Sequence, residues 1–261
     1  MEGKKQILII GAGRSSSAVI KYLSDNSEKE NWVVKVADRD EKLAQARCAG
    51  LKNTISLAFD ALDSEMRASQ LPGNDVVVSM LPARFHIDVV KDCLDMGISV
   101  ITPSYVTDEI KELDTKAKAK GVLVLNEMGL DPGIDHMSAM RVIHQIQDEG
   151  GVLTGFKSFT GGLIAPESDD NPWNYKITWN PRNVVLAGQG GAVQFIRNGR
   201  YKYIPYHRLF SRTEKIVIEG YGDFEGYANR DSLKYRSIYG LDNIATIYRG
   251  TLRRKGFAEA W

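Results

Sequence analysis

The chain reads as an α/β protein: a doubly wound parallel sheet followed by an α+β domain on a mixed or antiparallel sheet. Three observations predict this. Short apolar strands alternate with amphipathic stretches from residue 7 to about residue 149. A glycine-rich turn, Gly11-Ala-Gly-Arg-Ser-Ser16, follows the first strand. Beyond Gly150-Gly151 the pattern changes to short runs dense in aromatics and separated by Gly, Pro, Asn and Asp clusters.

In the first half the predicted strands are Ile7–Ile10, Trp32–Ala37, Thr54–Leu57, Asp75–Leu81, Ile98–Thr102 and Val122–Leu125. They are β-branched and apolar nearly throughout, as in a parallel sheet covered on both faces. The stretches Asp40–Ala49, Phe85–Met96, Asp108–Lys120 and Met137–Gln147 carry helical spacing. Repeated βα units with short links give a doubly wound sheet. In the second half Thr154–Thr160, Tyr175–Trp179, Val193–Ile196, Tyr201–Ile204 and Lys215–Ile218 read as strands. Leu252–Trp261 reads as the start of a helix.

The glycine turn is Gly-x-Gly-x-x-Ser between a strand and a helix, one small residue from the Rossmann dinucleotide fingerprint. Gly11 permits the tight turn, Gly13 lets a pyrophosphate approach, and Ser16 is small enough for helix–strand packing. Arg14 and Ser15 complete the turn, and the helix N-terminus offers free N–H groups. Asp38 ends the next strand, 22 residues past Ser16, where a carboxylate can bind the adenosine ribose. The alternative is a cap on the following helix, and the glycine turn favours the nucleotide role. A carboxylate repels a 2′-phosphate, so NAD is expected over NADP; Arg39 beside it keeps NADP open.

Three further strand ends face the expected crevice. Ser79-Met-Leu-Pro82 and Thr102-Pro-Ser-Tyr105 each stop a strand at a proline. Met80, Leu81 and Pro82 are read as cofactor neighbours, and Ser104 and Tyr105 as facing the substrate. The run Asn126-Glu-Met-Gly-Leu-Asp-Pro-Gly-Ile-Asp-His136 is a strand-to-helix turn of the kind that presents ligands in open α/β sheets. Leu130, Asp131 and Pro132 at its tip are read as cofactor contacts. Asp131 is also a candidate for proton transfer, together with Tyr105. Asp135 reads as a helix N-cap, and His136 and His207 as packed or capping residues.

Composition excludes several classes. A formal net charge of +1 gives no global field to recruit nucleic acid or a membrane surface. Cys48 and Cys93 make neither a zinc site nor a disulfide framework, and a reduced cytoplasm is the expected location. Met1–Gln6 leads straight into a strand and is not expected to be a signal peptide. No apolar run approaches the ~20 residues that span a bilayer.

Six blocks in order, Asn126–His136, Phe159–Glu167, Asp170–Pro172, Tyr175–Trp179, Tyr227–Ser232 and Arg249–Arg253, resemble saccharopine dehydrogenase of the glutamate-forming type. The resemblance covers essentially the whole chain. It implies interconversion of saccharopine, water and NAD(P)⁺ with glutamate, 2-aminoadipate 6-semialdehyde and NAD(P)H, in lysine metabolism. It also implies an NAD(P)-binding domain over residues 1–133 and a substrate-binding domain over 134–261. Asn229, Arg230 and Asp231 become substrate contacts, Arg208 a second carboxylate-binding arginine, and Trp179 a cofactor neighbour. A guanidinium suits the three carboxylates of saccharopine. The implied partner is this small amino-acid substrate, with a homodimer as an option.

Three departures accompany the resemblance. Thr160 stands where many members carry a cysteine. Members that use NADP have an uncharged residue where this chain has Asp38. Members also continue past the position of Trp261, so the second domain is expected to be incomplete. Two alternatives are a carboxynorspermidine-type dehydrogenase and a catalytically impaired nucleotide sensor. The Asn229–Asp231 and Gly161–Glu167 blocks count against the first, and the retained Asp131 and Arg230 against the second.

Overall fold

The structure is a computed structural model that describes residues 3–178, 181–187 and 191–261. The chain divides into two compact units, Met1–Ile134 and Asp135–Trp261.

The first unit runs β1 (Lys5–Ile10), α1 (Ser17–Asn26), β2 (Trp32–Asp38), α2 (Glu41–Cys48), β3 (Thr54–Ala58), α3 (Ser64–Gln70), β4 (Val76–Ser79), α4 (His86–Met96), β5 (Ser99–Ile101), α5 (Asp108–Lys111), α6 (Asp114–Lys120) and β6 (Val124–Leu125). All six strands are parallel, in the order β3-β2-β1-β4-β5-β6. This is the dinucleotide-fold order, and its switch point lies between β1 and β4. Successive residues feed opposite faces. Leu8, Ile10, Ala37 and Val77 enter one apolar cluster, while Ile9, Val34, Val36 and Val78 enter the other. That two-sided burial is why the strands read as continuous apolar runs.

Local signals set the helix starts. Asp40, not Asp38, caps α2, its side chain accepting from the N–H groups of Lys42 and Leu43. The stretch Asp108–Lys120 is two helices rather than one, α5 capped by Thr107 and α6 following the break at Glu112-Leu113.

The second unit contains α7 (Ile134–Asp148) from its second residue on, β7 (Gly155–Thr160), α8 (Pro181–Ala187), β8 (Val193–Arg197), β9 (Arg200–Ile204), β10 (Glu214–Ile218), β11 (Gly222–Ala228), α9 (Tyr235–Ile238), β12 (Thr246–Arg254) and α10 (Phe257–Ala260). The sheet order is β10-β11-β12-β8-β9, with β7 also on β12. Strand β12 is antiparallel to β11 and β8 and parallel to β7, so the sheet is mixed.

Several expectations need correction here. Tyr175–Thr178 is not a strand. Tyr175 is aromatic because it is buried edge-on against Phe257 and beneath the Arg253 guanidinium. Leu252–Arg254 closes β12, and only Phe257–Ala260 is helical. Helix α7 starts at Ile134, so Asp135 sits in its first turn rather than capping it. Strands β11 and β12 were not anticipated. Gly226 and Gly250 interrupt their apolar pattern because the Phe159 ring lies over both, within 2.7 Å of where a Cβ would stand.

Candidate functional site

At the switch point Gly11 has φ +107°, and a Cβ there would meet the Met80 carbonyl oxygen at 3.0 Å. Gly11 is therefore required by the chain itself. Gly13 is different: a Cβ would meet nothing within 4 Å. Packing leaves it bare, and the open space is where a diphosphate could approach the backbone. Ser16 is buried and its hydroxyl donates to the Gly13 carbonyl at 2.8 Å, closing the turn. Arg14 and Ser15 are exposed.

Asp38 serves the turn as well. Its Oδ2 accepts from Ala12 N at 2.7 Å and its Oδ1 from Asp40 N at 2.9 Å. Each oxygen keeps acceptor capacity for a ribose hydroxyl. Arg39 is exposed. Arg47, which the sequence did not single out, donates from Nε to the Ala12 carbonyl at 3.0 Å and from Nη2 to the Gly13 carbonyl at 3.3 Å. A guanidinium thus holds the outer side of the turn. Just past β4, Met80 N donates to the Ile10 carbonyl at 2.8 Å, followed by half-buried Leu81 and exposed Pro82.

The ends of β5 and β6 are joined. Glu127 N donates to the Ser104 carbonyl at 3.0 Å, and Val106 N to Glu127 Oε1 at 3.1 Å. The Tyr105 hydroxyl donates to Asp131 Oδ1 at 2.7 Å. Leu130 and Asp131 are exposed, whereas Pro132 is buried behind them. Gly129 N donates to the Pro132 carbonyl and Ile134 N to the Gly129 carbonyl, which folds the run into a tight loop.

Behind Ser104 lies His86, also absent from the sequence reading. Its ring is buried, with Nδ1 2.8 Å from Ser79 Oγ and Nε2 2.7 Å from Ser104 Oγ and 3.0 Å from Thr102 Oγ1. Burial pushes its pKa down to about 4. The available signal was three hydroxyl residues at the ends of consecutive strands with a histidine at the intervening helix start. Burial also pushes the Cys93 thiol up to about 12 and raises Cys48, so both stay protonated.

In the second unit Asn229, Arg230 and Asp231 form the turn that leaves β11. Arg230 is exposed with φ 42°, an unfavourable conformation for a non-glycine residue. The turn is pinned from both sides. Asn229 N donates to the Arg249 carbonyl, Gln194 N to the Arg230 carbonyl, and Ser232 N to the Gln194 carbonyl. Asp231 Oδ1 accepts from Leu233 N at 2.9 Å. Arg208 is exposed on a separate 3-10 turn, Tyr206–Arg208. Trp179 lies outside the described residues.

Beside this turn sits a buried polar cluster. Arg249 Nη2 donates to Asp135 Oδ2 at 2.5 Å, and its guanidinium lies 4.0 Å from the Tyr235 ring centre. His136 stacks on Tyr235 and its Nδ1 is 2.7 Å from the Tyr239 hydroxyl. Elsewhere on this unit an open surface groove is lined by Lys157 and Arg197, but Glu214 pairs with both. Among the described residues no group of side chains fits a metal ion, and no helix is long and apolar enough to cross a membrane.

Residues 7–125 match the saccharopine dehydrogenase NADP binding domain and residues 129–261 the saccharopine dehydrogenase C-terminal domain. The chain is 35% identical over 255 residues to the Pyricularia oryzae saccharopine dehydrogenase [NADP(+), L-glutamate-forming], covering 98% of this chain and 56% of that protein. It is 36% identical to the mitochondrial alpha-aminoadipic semialdehyde synthase of Rattus norvegicus, covering 100% of this chain and 28% of the relative. The solved structure of apo saccharopine dehydrogenase (L-Glu forming) from Saccharomyces cerevisiae superposes with a TM-score of 0.87 at 36% identity, over 98% of this chain and 56% of that one. The chain thus spans little more than half the length of these fungal relatives. With both units matched, this chain belongs to the saccharopine dehydrogenase family.

Proposed function

We propose that this chain carries the dinucleotide and substrate sites of an oxidoreductase that interconverts saccharopine with glutamate and 2-aminoadipate 6-semialdehyde in lysine metabolism. The observation that carries the reading is the Tyr105–Asp131 hydrogen bond at the ends of β5 and β6, in the same row of strand ends as the glycine turn. When bound, a nicotinamide would supply the redox chemistry by taking hydride from the carbon beside the bridging nitrogen of saccharopine, leaving an imine that water hydrolyses to the two products. Asp131 takes the proton from that nitrogen, and Tyr105 orients the carboxylate. Ser104 faces the same substrate. Gly11, Gly13, Arg14, Ser15, Ser16, Asp38, Met80–Pro82 and Leu130–Pro132 are assigned to the dinucleotide. Arg230, Asn229 and Arg208 are assigned to substrate carboxylates, and Asp231 to shaping the turn that presents them.

The matched domain and the fungal relatives are named for NADP. Asp38 argues for NAD, because its carboxylate is fixed beside the turn by two backbone N–H groups. Competition titration of NAD against NADP decides this, and tighter NADP binding would remove NAD preference from the proposal. The cytoplasmic location read from the sequence stays part of it, beside a relative named as mitochondrial. The activity is tested by saccharopine-dependent formation of reduced nicotinamide. Dinucleotide binding without turnover would favour the sensor.

A further inference from the structure

One imidazole ties together the last residue of β4 and two residues just past β5. His86 Nδ1 faces Ser79 Oγ at 2.8 Å, while Nε2 faces Ser104 Oγ at 2.7 Å and Thr102 Oγ1 at 3.0 Å. Thr102 Oγ1 also accepts from Ser104 N at 3.3 Å, so the two hydroxyl residues are held as a pair. A neutral imidazole has one N–H and one lone pair, and the surrounding hydrogen bonds decide which nitrogen carries which.

The two placements are not equivalent. With the proton on Nδ1, the single Nε2 lone pair can take one hydroxyl hydrogen. The other short contact would then have to share that lone pair or set lone pair against lone pair. With the proton on Nε2, one N–H is shared between two oxygens, and the Nδ1 lone pair accepts the hydroxyl hydrogen of Ser79. Ser79 is fully buried, so its hydrogen needs that acceptor. The Nε2–H tautomer leaves the Ser104 and Thr102 oxygens accepting and their own hydrogens available. Thr102 is fully buried, whereas Ser104 is half-buried and reaches the surface.

We propose that His86 is a positioning residue that, protonated on Nε2, holds Ser104 as a hydrogen-bond donor to a substrate oxygen. The group favoured there is an acceptor, a carboxylate or carbonyl oxygen. The assignment rests on the proposed function for the identity of the substrate, and on the hydrogen-bond geometry for the direction of the donor. Burial supports it by keeping the ring neutral.

The test uses the full 261-residue chain. Nitrogen NMR of labelled histidine, assigned with His86→Leu, should show Nε2 protonated and Nδ1 bare near neutral pH. Kinetics should show His86→Leu and Ser104→Ala each raising the KM for saccharopine about tenfold, the loss of one hydrogen bond to a charged acceptor. The KM for the dinucleotide should stay within about twofold. The double variant should be no worse than either single one, and His86→Gln should recover part of the loss by offering one donor and one acceptor. General damage to the fold would raise both KM values and multiply in the double variant, which would overturn the proposal. So would an Nδ1-protonated ring. A parent chain that neither binds nor turns over saccharopine while the ring is Nε2-protonated would sink the proposed function and support the donor geometry.

Discussion

Acid should destabilise the first unit through His86 before it touches the carboxylates. The imidazole is 1% exposed, and burial lowers its pKa from 6.5 to about 4. An unfolded chain binds a proton there below about pH 6.5, while the folded chain resists until about pH 4. Between those values the unfolded state holds more protons, so stability is full above the upper limit and falls as pH drops towards the lower one. A shift of this size corresponds to about 3 kcal/mol lost between about pH 7 and pH 4. Asp75 and Asp95 lie in a different window. Their pKa values are lowered below the ordinary carboxylate range, Asp75 first by the Gln6 N–H and Asp95 first by Lys116, so their contributions fade at lower pH. Urea unfolding of parent and His86→Leu across this range isolates the term. The variant should be less stable near neutral pH, because Ser79 and Thr102 lose a buried partner, yet its stability should vary less with pH. Parallel curves for the two proteins would refute the reasoning.

Other substitutions probe other parts of the chain. Gly133→Ala should cost at least about 2 kcal/mol in urea unfolding and abolish turnover, because its φ is +147° and a Cβ would overlap the Gly129 carbonyl oxygen; an unaffected variant would mean the Asp131 loop has another conformation. Gly250→Ala should cost about 1–3 kcal/mol by driving a methyl into the Phe159 ring, 2.5 Å from Cε1, and adding Phe159→Leu should recover part of it. Simple additivity in that double-mutant cycle would disprove the contact. Arg230→Ala should weaken saccharopine binding by about 2–5 kcal/mol and leave dinucleotide binding intact. Equal saccharopine affinity would take Arg230 out of the site.

The parallel sheet was legible because burial on both faces writes unbroken β-branched runs into the sequence. The glycine turn was legible because Gly11 must have a positive φ and a close neighbour. Strands β11 and β12 were hidden for the opposite reason: their glycines read as interruptions until the Phe159 ring occupies the space above them. Asp38 reads from the sequence as a ligand or a cap for α2. Asp40 takes the cap, while the Asp38 carboxylate accepts from Ala12 N and Asp40 N and keeps acceptor capacity for a ligand. His86 was passed over because its partners come from two other strand ends, and only the parallel pairing of β4 with β5 brings them to one ring. Tyr105 and Asp131, read together as candidates for proton transfer, meet for the same reason through β5 and β6.

The pairing of β7 with β12 has a consequence for synthesis. Strand β1 meets β2 across fewer than ~30 residues, so the first sheet can start early. Gly155 must wait about 90 residues for Thr246, and the hairpins β8–β9 and β10–β11 form before the strand that unites them. Until β12 emerges, three separate pieces expose unpaired edges. The second unit cannot complete its sheet before β12 is made, and this interval is when holdase chaperones have most to shield.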